Sequence, residues 1–304
     1  MAGNITSAEL NDSIATIIAA EALGYLQANT VLAQLVSRDW DDEIAQAGQV
    51  IRIPFTGALS ANDKAEGSVV TLQNAADTKV DVTLNKHKEV SFLIEDFGRT
   101  LATPDYLNAY SQDGMAVLAE QIDSDVAALY STVTNSVDAS VTNGPLDESD
   151  FRNSRRLINA AKAPLGDRFA VLHQDAEYDY LGIEEAINTA YRQSLGDGAL
   201  ASAYAGDFMG FRTFMDQKIA VASSVTQNLL FHKRAFVLAS RPLAPAPAGV
   251  PILQKVLHEG GLGLRVTMSY NASYLGVQTT IDILYGVAIL RNNHAVVLKT
   301  STKP

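Results

Sequence analysis

Two short alternating patterns lie close together in the first third of the chain, with a long polar interval between them. In Gln49-Val50-Ile51-Arg52-Ile53-Pro54-Phe55, residues Ile51, Ile53 and Phe55 share one side of an extended chain. In Lys79-Val80-Asp81-Val82-Thr83-Leu84, so do Val80, Val82 and Leu84. The interval 56–78 is mostly Gly, Ala, Ser, Asn, Asp and Lys, with little apolar material to bury. A compact domain seldom carries so long a connection unless it works or moves. The pattern predicts a β-hairpin with a long tip, an arm completed on another subunit, and hence an assembly protein.

Elsewhere the periods switch between helix and strand. Residues 7–36 space Ile14, Ile17, Ile18, Leu23, Leu32, Leu35 and Val36 by threes and fours, with Gly24 a weak point. One or two helices are expected there, either on the surface of the body or as an N-terminal arm across a neighbour. Val90, Phe92 and Ile94 predict another strand. Thr103-Pro104-Asp105 then supplies a cap, a first-turn proline and an acid at a helix N-terminus. Leu107, Tyr110, Val117, Leu118, Ile122, Val126, Leu129 and Val133 continue it as a stripe. A helix from Pro104 to Val133 would be roughly 45 Å long, which makes it a strut.

Asn143-Gly144-Pro145 marks a turn, Asp147 or Ser149 can cap a helix through Ala163, and Pro164-Leu165-Gly166 ends it. A strand at 168–172 precedes a helix capped by Asp175. Residues 193–206 read as a flexible loop, 208–214 as a strand with a turn, and 231–239 as one buried strand. Four prolines make 241–251 irregular, and strands follow at 264–268, 280–284 and 295–299. There is no repeat of fixed period. Arm, hairpin, strut helix, mixed middle and β-rich end together describe an α+β chain.

Composition changes the picture in three respects. The 304 residues are 47% apolar but only 19% charged, below the usual quarter, as expected if some surface is covered by partners. A net charge of -11 argues against gripping nucleic acid, which needs Lys and Arg, but suits a wall that encloses it. The absence of cysteine excludes disulfides, thiolate zinc sites and cysteine nucleophiles. Met1-Ala2-Gly3-Asn4-Ile5 shows no secretory pattern, and no stretch reaches the roughly 20 apolar residues that span a bilayer. A soluble chain made in the cytoplasm, with no membrane partner, is expected.

Candidate chemistry is sparse. His173, Asp175, Glu177 and Asp179 alternate and on a strand would share one side, as divalent-metal ligands could. At a strand-to-helix junction, Asp175 is instead an N-cap and Glu177 a dipole partner, and residues two apart diverge. Geometry favours the capping reading over a metal-dependent hydrolase. His87, His232, His258 and His294 form no HExxH pairing and are expected on the surface or on edge strands. Gly260-Gly261-Leu262-Gly263 precedes a strand, so it is read as a turn or hinge rather than a phosphate cradle. Glu120, Asp123 and Asp125 are expected on a solvated or inter-subunit face of the strut. Arg152, Arg155 and Arg156 beside Phe151 can meet a phosphate backbone, though a solvated helix face is the commoner meaning. No catalytic, cofactor-binding or metal residue is assigned, and no enzyme is expected.

Several segments resemble the major capsid proteins of tailed bacteriophages with the Hong Kong 97-type fold. They are Val50-Ile51-Arg52-Ile53-Pro54, Gly206-Asp207-Phe208-Met209-Gly210-Phe211, Ala235-Phe236-Val237-Leu238-Ala239-Ser240-Arg241-Pro242-Leu243 and Asp282-Ile283-Leu284-Tyr285-Gly286-Val287-Ala288-Ile289-Leu290-Arg291. The resemblance covers nearly the whole chain in element order. It implies an N-terminal arm (1–48), an extended E-loop hairpin (49–96), a peripheral domain with a spine helix (97–164), an axial domain (165–252) and a C-terminal return to the peripheral domain (253–304). It implies a subunit that forms hexamers and pentamers and encloses double-stranded DNA without sequence-specific contacts. A separate scaffolding protein, a portal and a cement protein are partners by analogy. The location implied is the virion capsid, assembled in the host cytoplasm. Asp63, Lys64, Glu66, Asp77 and Lys79 are the expected inter-subunit contacts of the E-loop. Lys64 also occupies the tip, where some members of the family carry a cross-linking lysine. An encapsulin-like compartment enclosing cargo enzymes is the alternative with the same fold.

Overall fold

The computed structural model describes Ala22, Leu26 and residues 30–38, 50–55, 61–72, 78–96, 106–139, 144–187, 207–247, 252–259 and 262–303. Its first elements are α1 (Leu32–Leu35), β1 (Val50–Phe55), β2 (Thr78–Thr83), β3 (Lys86–Glu95), α2 (Tyr106–Ala127) and β4 (Ser136–Asp138). Then come α3 (Glu148–Ala160), β5 (Arg168–Leu172), α4 (Gln174–Tyr180), α5 (Glu184–Ile187), β6 (Asp207–Phe208), β7 (Phe211–Met215) and β8 (Val221–Ala222). The rest is strand: β9 (Val225–His232), β10 (Phe236–Arg241), β11 (Leu253–Glu259), β12 (Leu262–Asn271), β13 (Gly276–Ile289) and β14 (Ala295–Ser301).

The long strand β13 organises a five-stranded sheet. Residues Gly276–Ile283 pair with β12 and also with β3, so these two strands take opposite edges. Residues 284–289 pair with β10, which follows β12 along the same edge, and β11 extends the sheet beyond β12. The second sheet has seven strands, ordered β4-β14-β9-β5-β7-β6 with β8 also on β9. Its central strands read as unbroken apolar runs because both faces are covered. Phe169, Val171, Leu229, Phe231, Ala295 and Val297 face one core, while Ala170, Leu172, Leu230, Val296 and Leu298 face another. The first core is built on α2 and the second on α3 and α4.

Helix α2 is the expected strut. It continues into a 3-10 turn at Ala128–Thr132, so helical chain runs from 106 to 132. Its capping segment 103–105 lies outside the described residues, as do 193–206, 260–261 and most of 7–36. Met115, Leu118, Ala119, Ile122, Val126 and Ala127 form its buried stripe, touching strands of both sheets in one core. Tyr110 and Val117, read as part of that stripe, are instead mostly exposed.

Local chemistry explains the other elements. Asp147 caps α3 in a reciprocal box with Asp150, and the helix stops at Ala160 rather than Ala163. Met209 and Gly210 both have positive φ (49° and 80°), which closes the β6–β7 hairpin as a two-residue turn of primed type. Residues 231–239 are not one strand. β9 ends at His232, whose Nδ1 accepts from Arg234 N and caps a 3-10 turn, and β10 then enters the other sheet. Both pieces are buried, so the apolar run hides the break. The 165–252 and 253–304 segments therefore do not divide by sheet, because β10 joins the five-stranded sheet and β14 the seven-stranded one.

Candidate functional site

The hairpin of β1 and β2 is antiparallel from Val50↔Thr83 to Phe55↔Thr78. Its apolar side, Ile51, Ile53, Val82 and Leu84, packs on Val237 and Ala239 of β10 and on Leu284, Ala288 and Leu290. Its other side carries an exposed Arg52–Asp81 pair at 3.7 Å, which adds little to stability. The end of β2 passes so close to β13 that a Cβ at Gly286 would collide with the Thr83 carbonyl. Position 286 accepts only glycine.

Beyond this root, the described tip residues 61–72 are all exposed. A turn at Ala65–Ser68 gives them local shape: Ser68 N and Oγ both donate to the Ala65 carbonyl, at 3.2 and 2.7 Å, with Gly67 at φ 76°. Val69, Val70 and Leu72 are 89%, 57% and 90% exposed. The polar reading of this interval missed them as surface features, although three apolar residues within four positions were visible. Asp63, Lys64 and Glu66 lie on the same tip, and none forms an ion pair among the described residues. Lys79 is exposed on β2 opposite Pro54, while Asp77 lies outside the described residues.

The acids of α2 were expected on a solvated or inter-subunit face, but Asp123 and Asp125 are joints within the chain. Asp123 is 2% exposed, and its two oxygens accept from Val31 N at 2.6 Å and Ala33 N at 2.9 Å, holding the first turn of α1. Burial pushes its carboxyl up to about 7. Asp125 accepts from Tyr285 Oη at 2.5 Å and pairs with Lys86 Nζ at 2.8 Å. Lys86 opens β3 immediately after the hairpin, so this cluster ties the hairpin root to the strut and to β13. Desolvation opposes ionisation of Asp125, but Lys86 and Tyr285 win and hold it below the usual carboxylate range. Glu120, in contrast, is half exposed and pairs with Lys218 at 2.7 Å.

The segment from His173 to Asp179 opens with a helix cap. His173, not Asp175, is the N-cap of α4, with its Nδ1 accepting from Asp175 N at 3.3 Å. Asp179 is taken up by Leu146 N at 3.0 Å and Lys303 Nζ at 2.5 Å. Among the described residues, no group of three or more His, Asp or Glu side chains is placed to hold a metal. His87 bonds Asp282 at 3.1 Å beside Arg265. His232 and His294 are not surface residues: both are buried, with ring centroids 5.9 Å apart. Arg152 makes a helical pair with Glu148 at 3.6 Å and is otherwise exposed, the solvated face expected. No described helix is long and apolar enough to cross a membrane.

A strut joining two sheets, with a projecting hairpin, is the fold of chains in solved phage capsids. A chain from Mycobacterium phage Che8 matches with a TM-score of 0.63 and 20% identity, over 88% of this chain and 90% of that one. A chain in the capsid of cyanophage P-SCSP1u matches with a TM-score of 0.59 and 15% identity, over 84% and 85%. The asymmetric unit of the bacteriophage PhiM1 mature capsid gives 0.53 and 12%, over 84% and 83%. No family model matches the chain, and no curated protein matches it in sequence. The likeness is one of fold.

Proposed function

We propose that the chain is the major capsid protein of a tailed bacteriophage, with the Hong Kong 97-type fold, forming an icosahedral shell around double-stranded DNA. The observation that carries this reading is the uncovered tip, with Val69, Val70 and Leu72 at solvent, on a chain that shares its fold with phage capsid chains. Full burial of a Val or Leu side chain is worth about 1.5–3 kcal/mol. The three together supply on the order of 6 kcal/mol per contact before the cost of association is subtracted. Hexamers and pentamers multiply that contact around each axis. Asp63, Lys64, Glu66, Asp77 and Lys79 are the polar rim of the joint, while scaffolding, portal and cement proteins are partners by analogy.

The test is negative-stain electron microscopy of the purified protein, alone and with the scaffolding protein. Capsomers or shells are expected, and V69D/L72D subunits should keep the wild-type melting temperature but fail to assemble. A wild-type protein that stays monomeric at high concentration in both settings overturns the proposal. Shells isolated with protein cargo and no DNA would identify a compartment instead.

A further inference from the structure

Three passages of the chain between the two sheets converge on one seam. The first follows the strut, where Thr134 N donates to Asn292 Oδ1 at 2.8 Å and Asn292 Nδ2 donates to the Thr132 carbonyl at 2.8 Å. The second is the 3-10 turn Lys233–Ala235 between β9 and β10, and the third is residues 290–294 between β13 and β14. Leu290 N and Arg291 N both donate to the Ala235 carbonyl, at 2.8 and 3.2 Å. Buried in the seam, the rings of His232 and His294 meet edge to face.

The two rings have no good place for a proton. His232 Nδ1 accepts from Arg234 N at 3.1 Å, the bond that caps the second passage. An imidazolium carries hydrogen on both nitrogens, so protonation must break that cap. His294 Nδ1 is buried with no hydrogen-bond partner among the described residues.

The charges around the rings are mostly positive. Arg168 lies directly opposite His232 in the β5–β9 register. It is itself buried, and its guanidinium is pinned to the Pro164 and Ala163 carbonyls at 2.7 and 2.8 Å. Arg234 also faces His232, with Asp167 an acid acting the other way, while Arg291 and Arg168 face His294. Burial, then the neighbouring cations, hold both rings below the ordinary histidine range; a hydrogen bond to the Ala161 backbone acts the other way on His294. Low folded-state values mean stability that is present above about 6.5 and lost as pH falls through the folded values.

We infer that the His232–His294 pair is an acid-released latch that fixes the seam between the two sheets. The seam also reaches the hairpin. Leu290 packs in the core under the hairpin root, and the Arg291 guanidinium stacks over Phe55 at 5.2 Å from the ring centre. Release therefore moves the hairpin root and the angle between the sheets together. This holds for the isolated chain and does not depend on its being a shell subunit.

The experiment is amide hydrogen exchange on wild-type subunits and on a H232N/H294L variant, from pH 7.5 to 5.0, corrected for intrinsic exchange. Asn at 232 can accept from Arg234 N as an N-cap without titrating, and Leu at 294 needs no partner. Between about 6.5 and the lower pH at which the folded rings themselves titrate, each unit of acid should raise exchange in 233–235 and 290–294 about tenfold per proton taken up on opening, and the rise should level off below that. The variant should show a flat profile there. Side-chain NMR of the two rings, followed in wild type and in each single variant, is the second readout and should place both titrations below 6.5. Wild-type exchange that does not respond to acid, a variant that responds like wild type, or a ring titrating at or above 6.5 overturns the inference.

Discussion

Replacing Asp123 with Asn separates two effects that oppose each other at one buried carboxylate. Two backbone N–H groups, at 2.6 and 2.9 Å, favour its ionised form, while burial favours the neutral one. Burial wins, with Asp216 adding to the rise, and the carboxyl moves from 3.8 to about 7. A folded value raised in this way means that the folded state holds the extra proton between about 3.8 and 7. Its contribution to stability is complete below that window and falls as pH rises through it. At about 1.4 kcal/mol per unit, the loss is on the order of 4 kcal/mol, limited by the free energy that docks residues 30–38 on the strut. The substituted amide does not titrate. It keeps one acceptor but turns an NH2 toward the other N–H, leaving a buried donor unsatisfied at about 1–3 kcal/mol. Relative to wild type, the variant should therefore be at its weakest at the acid end of the range and should gain steadily, drawing level or passing it by pH 8. Urea unfolding of the two purified proteins at pH 5, 6, 7 and 8 measures it, and subtraction at each pH cancels the groups common to both. A difference that stays constant, or that widens toward pH 8, refutes the reasoning.

Three further substitutions probe the joints. Gly286→Ala drives a Cβ into the Thr83 backbone, where no rotamer gives relief, and should cost about 3 kcal/mol and speed proteolysis at the hairpin root; a melting temperature unchanged from wild type would count against it. Tyr285→Phe removes the hydroxyl donated to Asp125 and should cost about 1–3 kcal/mol by thermal melting, with Lys86 left as the charged partner. Asn228→Ala breaks bonds from His173 N (2.7 Å) and to the Leu298 carbonyl, Thr300 Oγ1 and Thr226 Oγ1 (3.1, 3.0 and 3.1 Å) inside the seven-stranded sheet. It should cost on the order of 3–5 kcal/mol in urea unfolding, and less than 1 would show that water replaces the side chain.

Periodicity located what depends on one element and missed what depends on two. The strut, the capped α3, the hairpin strands and β12, β13 and β14 each show in their own spacing. Asp123 was expected on a solvated or inter-subunit face, yet it falls four residues after Ala119 and four before Ala127, on the buried stripe. That position was the available signal, but the N–H groups that make burial tolerable come from residues 31 and 33, about ninety positions away. His232 and His294 were missed for the same reason, since each lies at a strand end and only the crossing of two passages buries them. The break between β9 and β10 had no signal in hydrophobicity at all. A run buried in two different sheets is as apolar as one buried in one.

The tip shows the converse case, where composition was informative and still incomplete. Residues 56–78 were read as mostly small and polar with little to bury, and the described part of that interval, 61–72, does lie at solvent. Val69 and Leu72 are nonetheless the two most exposed of the large apolar side chains among the described residues, and Val70 beside them is more than half exposed. A patch of three, flanked by Asp63, Lys64 and Glu66, stays within what a monomer tolerates without aggregating. On the shell reading, the same dilution keeps each contact weak. A weak contact reverses when a subunit joins in the wrong place, whereas several made at once around an axis hold. Enlarging the patch, for example with K64L, should therefore strengthen single contacts yet give more malformed particles under the microscope. Well-formed shells at higher yield would show that contact strength, not reversibility, limits assembly.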